Sequence, residues 1–189
     1  MKTIKSIVLL ACLAVMTSCG GGGASKQSSD ADGFGAIEEE LNSKFGENAY
    51  YTDFTITYDK SIGNIISVTV TEDPASLKMG QWINSQSTWT QNSEISLEVP
   101  EGSQAKDFMF QFGETINLSK LGGIVEKSMQ QLKDEKDLEN PTLSMAGLNF
   151  SDNGDISKAE YMINLKPENG GTTFRFYYKL NGDLVKMDY

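Results

Sequence analysis

Apolar residues recur at helical spacing in two separate stretches of the chain, and each stretch predicts an amphipathic helix. The first stretch contains Phe34, Ile37, Leu41 and Phe45, and the second contains Leu121, Ile124, Val125, Met129 and Leu132. Asp32 is predicted as the N-cap of the first helix and Gly46 as its end. The second helix is predicted to end at Asn140-Pro141.

Segments rich in β-branched and aromatic residues follow each predicted helix. TDFTITYD (residues 52–59) and NIISVTVTE (residues 64–72) are separated by a short turn and predict a β-hairpin. A second hairpin is predicted after the second helix, within residues 143–168. Helices and hairpins in this order predict an α+β fold, an antiparallel sheet with helices on one face.

The two hairpins can be superimposed at a nearly constant offset. Gly63 matches Gly154 and Ile65 matches Ile156, and further on DFMFQF (residues 107–112) resembles DLVKMDY (residues 183–189). We therefore predict two tandem units, each a helix followed by four strands, over residues 32–116 and 117–189. The smaller offset of the last match predicts an insertion in the first unit at residues 75–93. Tandem units of this kind resemble, in topology alone, those of some secreted inhibitors and peptidase-propeptide-like proteins.

The N-terminus has the order of charges and apolar residues of an export signal. Lys2 and Lys5 precede the uncharged apolar run Ile7–Met16. A helix needs about 20 apolar residues to cross a bilayer, so this run is too short to be a membrane span. We expect it to be removed.

Met16, Thr17, Ser18 and Cys19 resemble the lipobox of bacterial lipoproteins, in which a bulky apolar residue and two small ones precede a cysteine. The resemblance implies that the signal comprises residues 1–18 and that Cys19 becomes an N-terminus carrying diacylglycerol. Residues 9–12 also fit the motif, but they leave an apolar core of only five residues, Ile7–Ala11, where about 7–15 are usual. An ordinary secretory signal is the other alternative.

Residues 19–31 are predicted to be a flexible tether, because the stretch after Cys19 contains only Gly, Ser, Ala, Lys, Gln and Asp. The chain has two cysteines, and the other, Cys12, belongs to the signal. The mature protein therefore has no intramolecular disulfide.

The charge of the chain excludes one class of partner. The sequence has 16 basic and 26 acidic residues, a net charge of −10, and Arg175 is its single arginine. Nucleic acids are bound through clustered Lys and Arg, so no nucleic-acid partner is expected. Anionic headgroups repel an acidic surface, so attachment to a membrane is expected through the lipid anchor.

The sequence contains no histidine. Catalysis by Ser-His-Asp or Cys-His is therefore excluded, together with most transition-metal sites. Residues 149–160 match an EF-hand loop in part, but their Asn-Gly favours a turn between strands. We predict no metal site, no cofactor and no enzymatic activity.

Side chains that could bind a partner are concentrated in the predicted insertion. Trp82 and Trp89 lie there among Gln, Asn, Ser and Thr, which suggests an exposed aromatic loop that contacts a glycan or a protein. The alternative is that the indoles cap the core. Two acidic runs, residues 38–40 and 134–139, are predicted as solvated helix surface. Phe108, Phe110 and Phe112 are predicted as the core face of a strand.

The sequence thus predicts a lipid-anchored protein of the bacterial cell envelope, with the outer membrane favoured over the inner one. Its body is expected in the periplasm or at the cell surface, in a binding or structural role. The alternatives are an inhibitor of a secreted enzyme and an envelope hydrolase that uses carboxylates.

Overall fold

The computed structural model describes residues 23–151 and 153–189. They form two α-helices and eight β-strands in the order α1 (Ala31–Phe45), β1 (Tyr50–Asp59), β2 (Gly63–Thr71), β3 (Lys78–Ser85), β4 (Thr88–Ser96), α2 (Leu118–Lys136), β5 (Pro141–Asn149), β6 (Glu160–Pro167), β7 (Phe174–Lys179) and β8 (Leu184–Asp188). Short 3-10 turns occur in the connections and before α1.

All eight strands belong to one antiparallel sheet, in the order β4-β3-β2-β1-β5-β6-β7-β8. The predicted α+β class is confirmed. Each half of the chain is a helix followed by four strands, and the halves meet where β1 pairs with β5. Descent of the two halves from one duplicated unit stays a prediction.

One main hydrophobic core joins both halves. It contains alternate side chains of β1, β2, β5, β6 and β7 together with the apolar faces of α1 and α2, so both helices cover the same face of the sheet. We call the opposite face the helix-free face.

The first helix agrees with its sequence pattern except at its start. All four predicted apolar positions are buried, and Gly46 ends the helix at a φ of +92°. The N-cap is Asp30 rather than Asp32, since the Asp30 carboxylate accepts a hydrogen bond of 2.8 Å from the Gly33 amide.

The second helix buries its predicted face, with Met129 only half-buried. Asn117 caps its N-terminus by accepting a hydrogen bond of 2.8 Å from the Lys120 amide. The helix ends at Lys136, earlier than predicted, because Asp137 adopts the left-handed conformation at a φ of +53°.

The predicted insertion at residues 75–93 is wrong, since most of this stretch belongs to β3 and β4. The matched segment at residues 107–112 is not a strand either. Residues Ala105–Phe108 form a 3-10 turn, and Phe110 makes an isolated bridge to Tyr51. The first half reaches four strands through β3 and β4, whose many polar side chains gave them the composition of a loop.

The packing role predicted for the three phenylalanines is confirmed for two of them. Phe110 is buried, and Phe112 packs against the main core from a half-buried position. Both rings contact Tyr51, at centroid distances of 5.8 and 4.8 Å. Phe108 is half-buried beside a cavity described below.

Candidate functional site

The predicted lipidation site, Cys19, lies outside the described residues, which begin four positions later at Gly23. Among residues 23–151 and 153–189, no helix is long and apolar enough to span a bilayer. The part of the structure that bears on anchoring is therefore the stretch that follows Cys19, residues 23–30, which we call the docked segment.

The docked segment is packed on the folded body, so the prediction of a flexible tether is wrong for residues 23–30. Ala24–Lys26 form a 3-10 turn, in which Ala24 is completely buried and Ser25 is 2% exposed. The remaining residues of the predicted tether before Gly23 lie outside the described residues. Small side chains favour both a linker and close packing, so composition did not distinguish the two.

Two turns of the sheet receive the docked segment at very short range. A Cβ atom on Gly23 would lie 2.5 Å from Cβ of Ser87, in the β3–β4 turn. A Cβ atom on Gly63 would lie 2.1 Å from the carbonyl oxygen of Ser25, and Gly63 also has a φ of +83°. Glycine is therefore required at position 63 on both counts.

Polar side chains of the sheet hydrogen-bond to the docked segment. Asn64, at the start of β2, donates from Nδ2 to the carbonyl oxygens of Ala24 at 3.3 Å and Gln27 at 2.8 Å. The hydroxyls of Ser25 and Ser87 lie 2.9 Å apart. Asn64 is 1% exposed, so the two bonds of its Nδ2 group replace those that this group would make with water.

Glu40 of α1 joins the docked segment to β3 and β4. Its Oε2 accepts a hydrogen bond of 2.6 Å from the Ala24 amide. Its Oε1 accepts from Nδ2 of Asn84 at 2.9 Å and from Nε1 of Trp89 at 2.8 Å. Three donors thus converge on one half-buried carboxylate, where charge-assisted bonds are strong.

The prediction that residues 38–40 form solvated helix surface holds only for Glu39. Glu38 is half-buried, and its Oε2 accepts a hydrogen bond of 2.7 Å from the amide of Leu118 at the start of α2. Burial raises the pKa of Glu38, and the Leu118 hydrogen bond opposes that rise. The acidic run at residues 134–139 is mostly exposed, as predicted.

Trp82 and Trp89 lie in β3 and β4 and not in an exposed loop, so that prediction is wrong. Both indoles are half-buried against the main core and meet the Phe45 ring edge-on, at centroid distances of 5.5 and 5.2 Å. Pairing with β2 sets Trp82 opposite Val68, which directs the indole toward the helices. The alternative interpretation, that the indoles cap the core, is confirmed.

The Trp82 ring also has a cation above it. Nζ of Lys44, one residue before Phe45 in α1, lies 4.4 Å from the ring centroid. The strand edge at β3 and β4 is thus joined to α1 by ring contacts as well as by Glu40.

The helix-free face presents polar and half-exposed apolar side chains. The strand register places on it Thr55 and Thr57 of β1, Ser67 of β2, Gln81 of β3, Met145 of β5, Met162 and Asn164 of β6, and Arg175 and Tyr177 of β7. All of these side chains are half-buried or exposed. The only arginine of the chain is therefore displayed on this face, near the start of β7.

One end of the helix-free face is covered by the connection from β4 to α2. Met79, Ala105 and Met109 form a second, small core there, with Leu97 and Val99 packed against it. Beside it lies a cavity of about 360 Å³, lined by Thr52, Leu97, Glu98, Val99, Pro100, Phe108, Phe150 and Ser151. Its walls are mainly apolar.

The partial EF-hand match at residues 149–160 connects the antiparallel strands β5 and β6, so the predicted turn is confirmed. Gly154 has a φ of +75°. Oδ1 of Asn153 accepts hydrogen bonds from the Ser151 hydroxyl at 2.6 Å and from the Asp155 amide at 3.1 Å. Within the described part of the chain, no three Cys, Asp or Glu side chains cluster closely enough to hold a metal ion.

Comparisons with known proteins give no family for this chain. No family model matches it, and no curated protein matches it. A crystal structure of a protein described as a putative lipoprotein from Clostridium difficile 630 matches 81% of this chain and 90% of its own, at 11% identity and a TM-score of 0.48. A likeness at this level supports no inference about function.

Proposed function

We propose that this protein is a lipid-anchored component of the bacterial cell envelope that binds a partner and catalyses no reaction. The observation that carries the proposal is the lipobox-like Met16-Thr17-Ser18-Cys19 directly after an export-type apolar run. Two or three acyl chains on one cysteine hold a protein on a membrane, since each buried CH₂ contributes about 0.8 kcal/mol.

The arrangement after Cys19 supports an anchor at this point. The docked segment holds the chain on the body by hydrogen bonds to Glu40 and Asn64. A force applied at Cys19 is therefore transmitted to the main core through the docked segment.

A binding role is supported by the helix-free face and by the composition of the chain. Met, Tyr and Arg are enriched at protein interfaces, and this face displays Met145, Met162, Arg175 and Tyr177 around threonines. Since the tryptophans pack under α1, stacking on a sugar ring is less favoured than contact with a protein. Because the chain has no histidine, an enzyme would have to rely on carboxylates or on lysine.

Acylation is tested in cells that express the full-length chain. Cys19→Ala should abolish incorporation of an alkyne-labelled fatty acid, whereas the matched variant Cys12→Ala should incorporate it normally. Mass spectrometry of the mature protein should find acylated Cys19 at the N-terminus. Label that persists in Cys19→Ala, or an unmodified Cys19, would contradict the proposal.

The binding face is tested by crosslinking in cells. A photoreactive residue at Met162, on the helix-free face, should give defined adducts, and the same residue at Lys127, exposed on α2, should give none. Equal adducts from both positions, or none from Met162, would contradict binding through this face.

A further inference from the structure

We propose that the docked segment fixes the folded body in one orientation on the bilayer, with one end of the sheet held against the lipid headgroups. This end, the anchor end, carries the β1–β2, β3–β4 and β6–β7 turns together with the α2–β5 connection. The inference rests on acylation of Cys19, and it names the surface of the protein that the membrane contacts.

The distance that the chain can cover between the lipid and the body is short. Four peptide units separate Cys19 from Gly23, so their Cα atoms lie at most about 14 Å apart. The strands have up to ten residues, and at about 3.3 Å per residue such a strand spans roughly 30 Å. The acylated residue therefore cannot reach the far end of the sheet.

The docked segment enters the body at the anchor end. Gly23 lies against Ser87 in the β3–β4 turn, and Ser25 lies against Gly63, which begins β2. Antiparallel pairing puts the start of β2 beside the end of β1 and beside the end of β3, where Ile66 pairs with Asn84. The lipid is therefore attached at the end of the molecule where these turns meet.

Docking of residues 23–30 restricts rotation of the folded body relative to the lipid anchor. An undocked stretch over residues 19–30 would have a root-mean-square length of about 20 Å and would let the body rotate freely. Glu40 and Asn64 remove that freedom by bonding the backbone of Ala24 and Gln27. Only the part of the chain before Gly23 is left to adjust the distance to the membrane.

The distribution of charge favours the same orientation. The connections at the far end of the sheet carry nine acids in their described residues, Glu47, Glu72, Asp73, Glu98, Glu101, Asp107, Glu114, Asp155 and Asp183, against Lys106 and Lys158. The connections at the anchor end carry Asp137, Glu139 and Glu168 against Lys60, and the docked segment adds Lys26 and Asp30. The resulting net charges are −7 at the far end and −2 at the anchor end. Anionic headgroups repel acidic groups within a Debye length of about 8–10 Å, so this repulsion favours the orientation in which the more acidic end points away from the membrane.

The orientation is tested with the full-length protein, acylated in cells and placed in vesicles of phosphatidylethanolamine and phosphatidylglycerol that contain nitroxide-labelled headgroups. A fluorophore is attached to Ser61→Cys at the anchor end or to Glu101→Cys at the far end; both positions are exposed, and acylated Cys19 does not react. We expect the nitroxide to abolish much of the emission at position 61 and to leave the emission at position 101 unchanged.

A longer anchor supplies the matched control. Inserting about ten Gly and Ser residues between Gly22 and Gly23 leaves the docked contacts in place but adds reach, so the difference between the two positions should be lost. Equal quenching at both positions in the protein of native length would overturn the proposed orientation while vesicle binding persists. A difference that survives the insertion would overturn the proposal that the short reach from Cys19 to the docked segment sets the orientation. Loss of vesicle binding itself would instead refute the anchor.

Discussion

At the scale of single residues, Glu40 links three parts of the chain that lie far apart in sequence. Its carboxylate accepts hydrogen bonds from the Ala24 amide, the Asn84 side chain and the Trp89 indole. Both of its oxygens are used, and all the partners are donors. A carboxylate meets this demand, whereas an amide must turn its NH₂ group toward at least one of the donors.

We therefore predict that Glu40→Gln lowers the free energy of unfolding by about 1–3 kcal/mol, the usual cost of leaving a buried polar group without a partner. It should also remove the protection of the Ala24 amide from hydrogen exchange. Urea denaturation and exchange mass spectrometry measure the two effects. The matched variant Glu39→Gln, at an exposed position of the same helix, should stay within about 0.5 kcal/mol. Equal effects of the two variants would contradict the role given to Glu40.

Glu38, two residues earlier, makes stability depend on pH. Burial raises its pKa in the folded protein, and the Leu118 amide only partly opposes this. An acid with a raised folded pKa binds its proton more tightly in the folded state. Its contribution is therefore most favourable below the unfolded pKa of about 4.3 and is lost as the pH rises through the folded value.

Glu38→Gln should remove this dependence, because its amide oxygen can still accept from Leu118 and carries no charge. We expect the free energy of unfolding of the parent protein, relative to Glu38→Gln, to fall between pH 4 and pH 7. Urea denaturation at several pH values measures the difference. For Glu39→Gln the corresponding difference should stay nearly flat. A difference for Glu38→Gln that rises with pH would show that the hydrogen bond outweighs burial.

At the scale of elements, α1 and α2 approach so closely at one point that a side chain is excluded. A Cβ atom on Gly122 of α2 would lie 2.1 Å from the backbone oxygen of Asp30, the N-cap of α1. A backbone atom cannot move aside to make room for a Cβ atom as the end of a flexible side chain can. A Cβ atom on the next residue, Gly123, would have no other atom within 4 Å.

These neighbouring glycines give a matched pair of variants with opposite expected signs. Gly122→Ala should destabilise the protein by about 1–3 kcal/mol or more, because the helices must move apart. Gly123→Ala should stabilise it by about 0.5–1 kcal/mol, because alanine loses less backbone entropy in a helix. Thermal or urea unfolding measures both. A stabilising Gly122→Ala would contradict the close approach of the helices.

Strands were harder to predict where their outward residues are polar. In β1 and β2 apolar residues alternate on one face, so the pattern predicted a hairpin that the structure contains. In β4 only Trp89 and Ile95 are half-buried and the other residues are exposed, so the stretch resembled a loop. An edge strand buries little surface, and its identity comes from backbone bonds to β3, which leave no trace in composition.

At the scale of the whole molecule, the two halves share one sheet and one core. Thr55, Ile56 and Thr57 of β1 pair with Gly147, Ala146 and Met145 of β5, and α1 packs on α2. Residues of both halves fill the main core. Neither half can unfold without exposing the apolar surface of the other.

We predict a single cooperative unfolding transition. Both tryptophans lie in the first half, so their fluorescence reports that half, whereas far-ultraviolet circular dichroism reports the entire sheet. The two signals should give the same urea midpoint. A separate transition seen only by circular dichroism would show that the second half unfolds on its own.

Two features of the candidate site differ in how far the sequence reveals them. The lipobox-like motif is a local pattern that can be read directly. The docked segment could not be predicted, because Ala24 and Ser25 are held on the body by hydrogen bonds with Asn64, Ser87 and Glu40, which follow them by 16 to 62 residues. Glu40 itself looked like one of three equivalent surface acids.

The sequence by itself determined the two amphipathic helices, the central hairpins, the α+β class and the absence of histidine chemistry. These properties depend on side-chain spacing within one element or on composition alone. Only the tertiary structure decided that eight strands form one sheet, that the tryptophans pack under α1, and that residues 23–30 are held on the body. Those outcomes depend on contacts between distant residues, where packing and burial outweigh local preference.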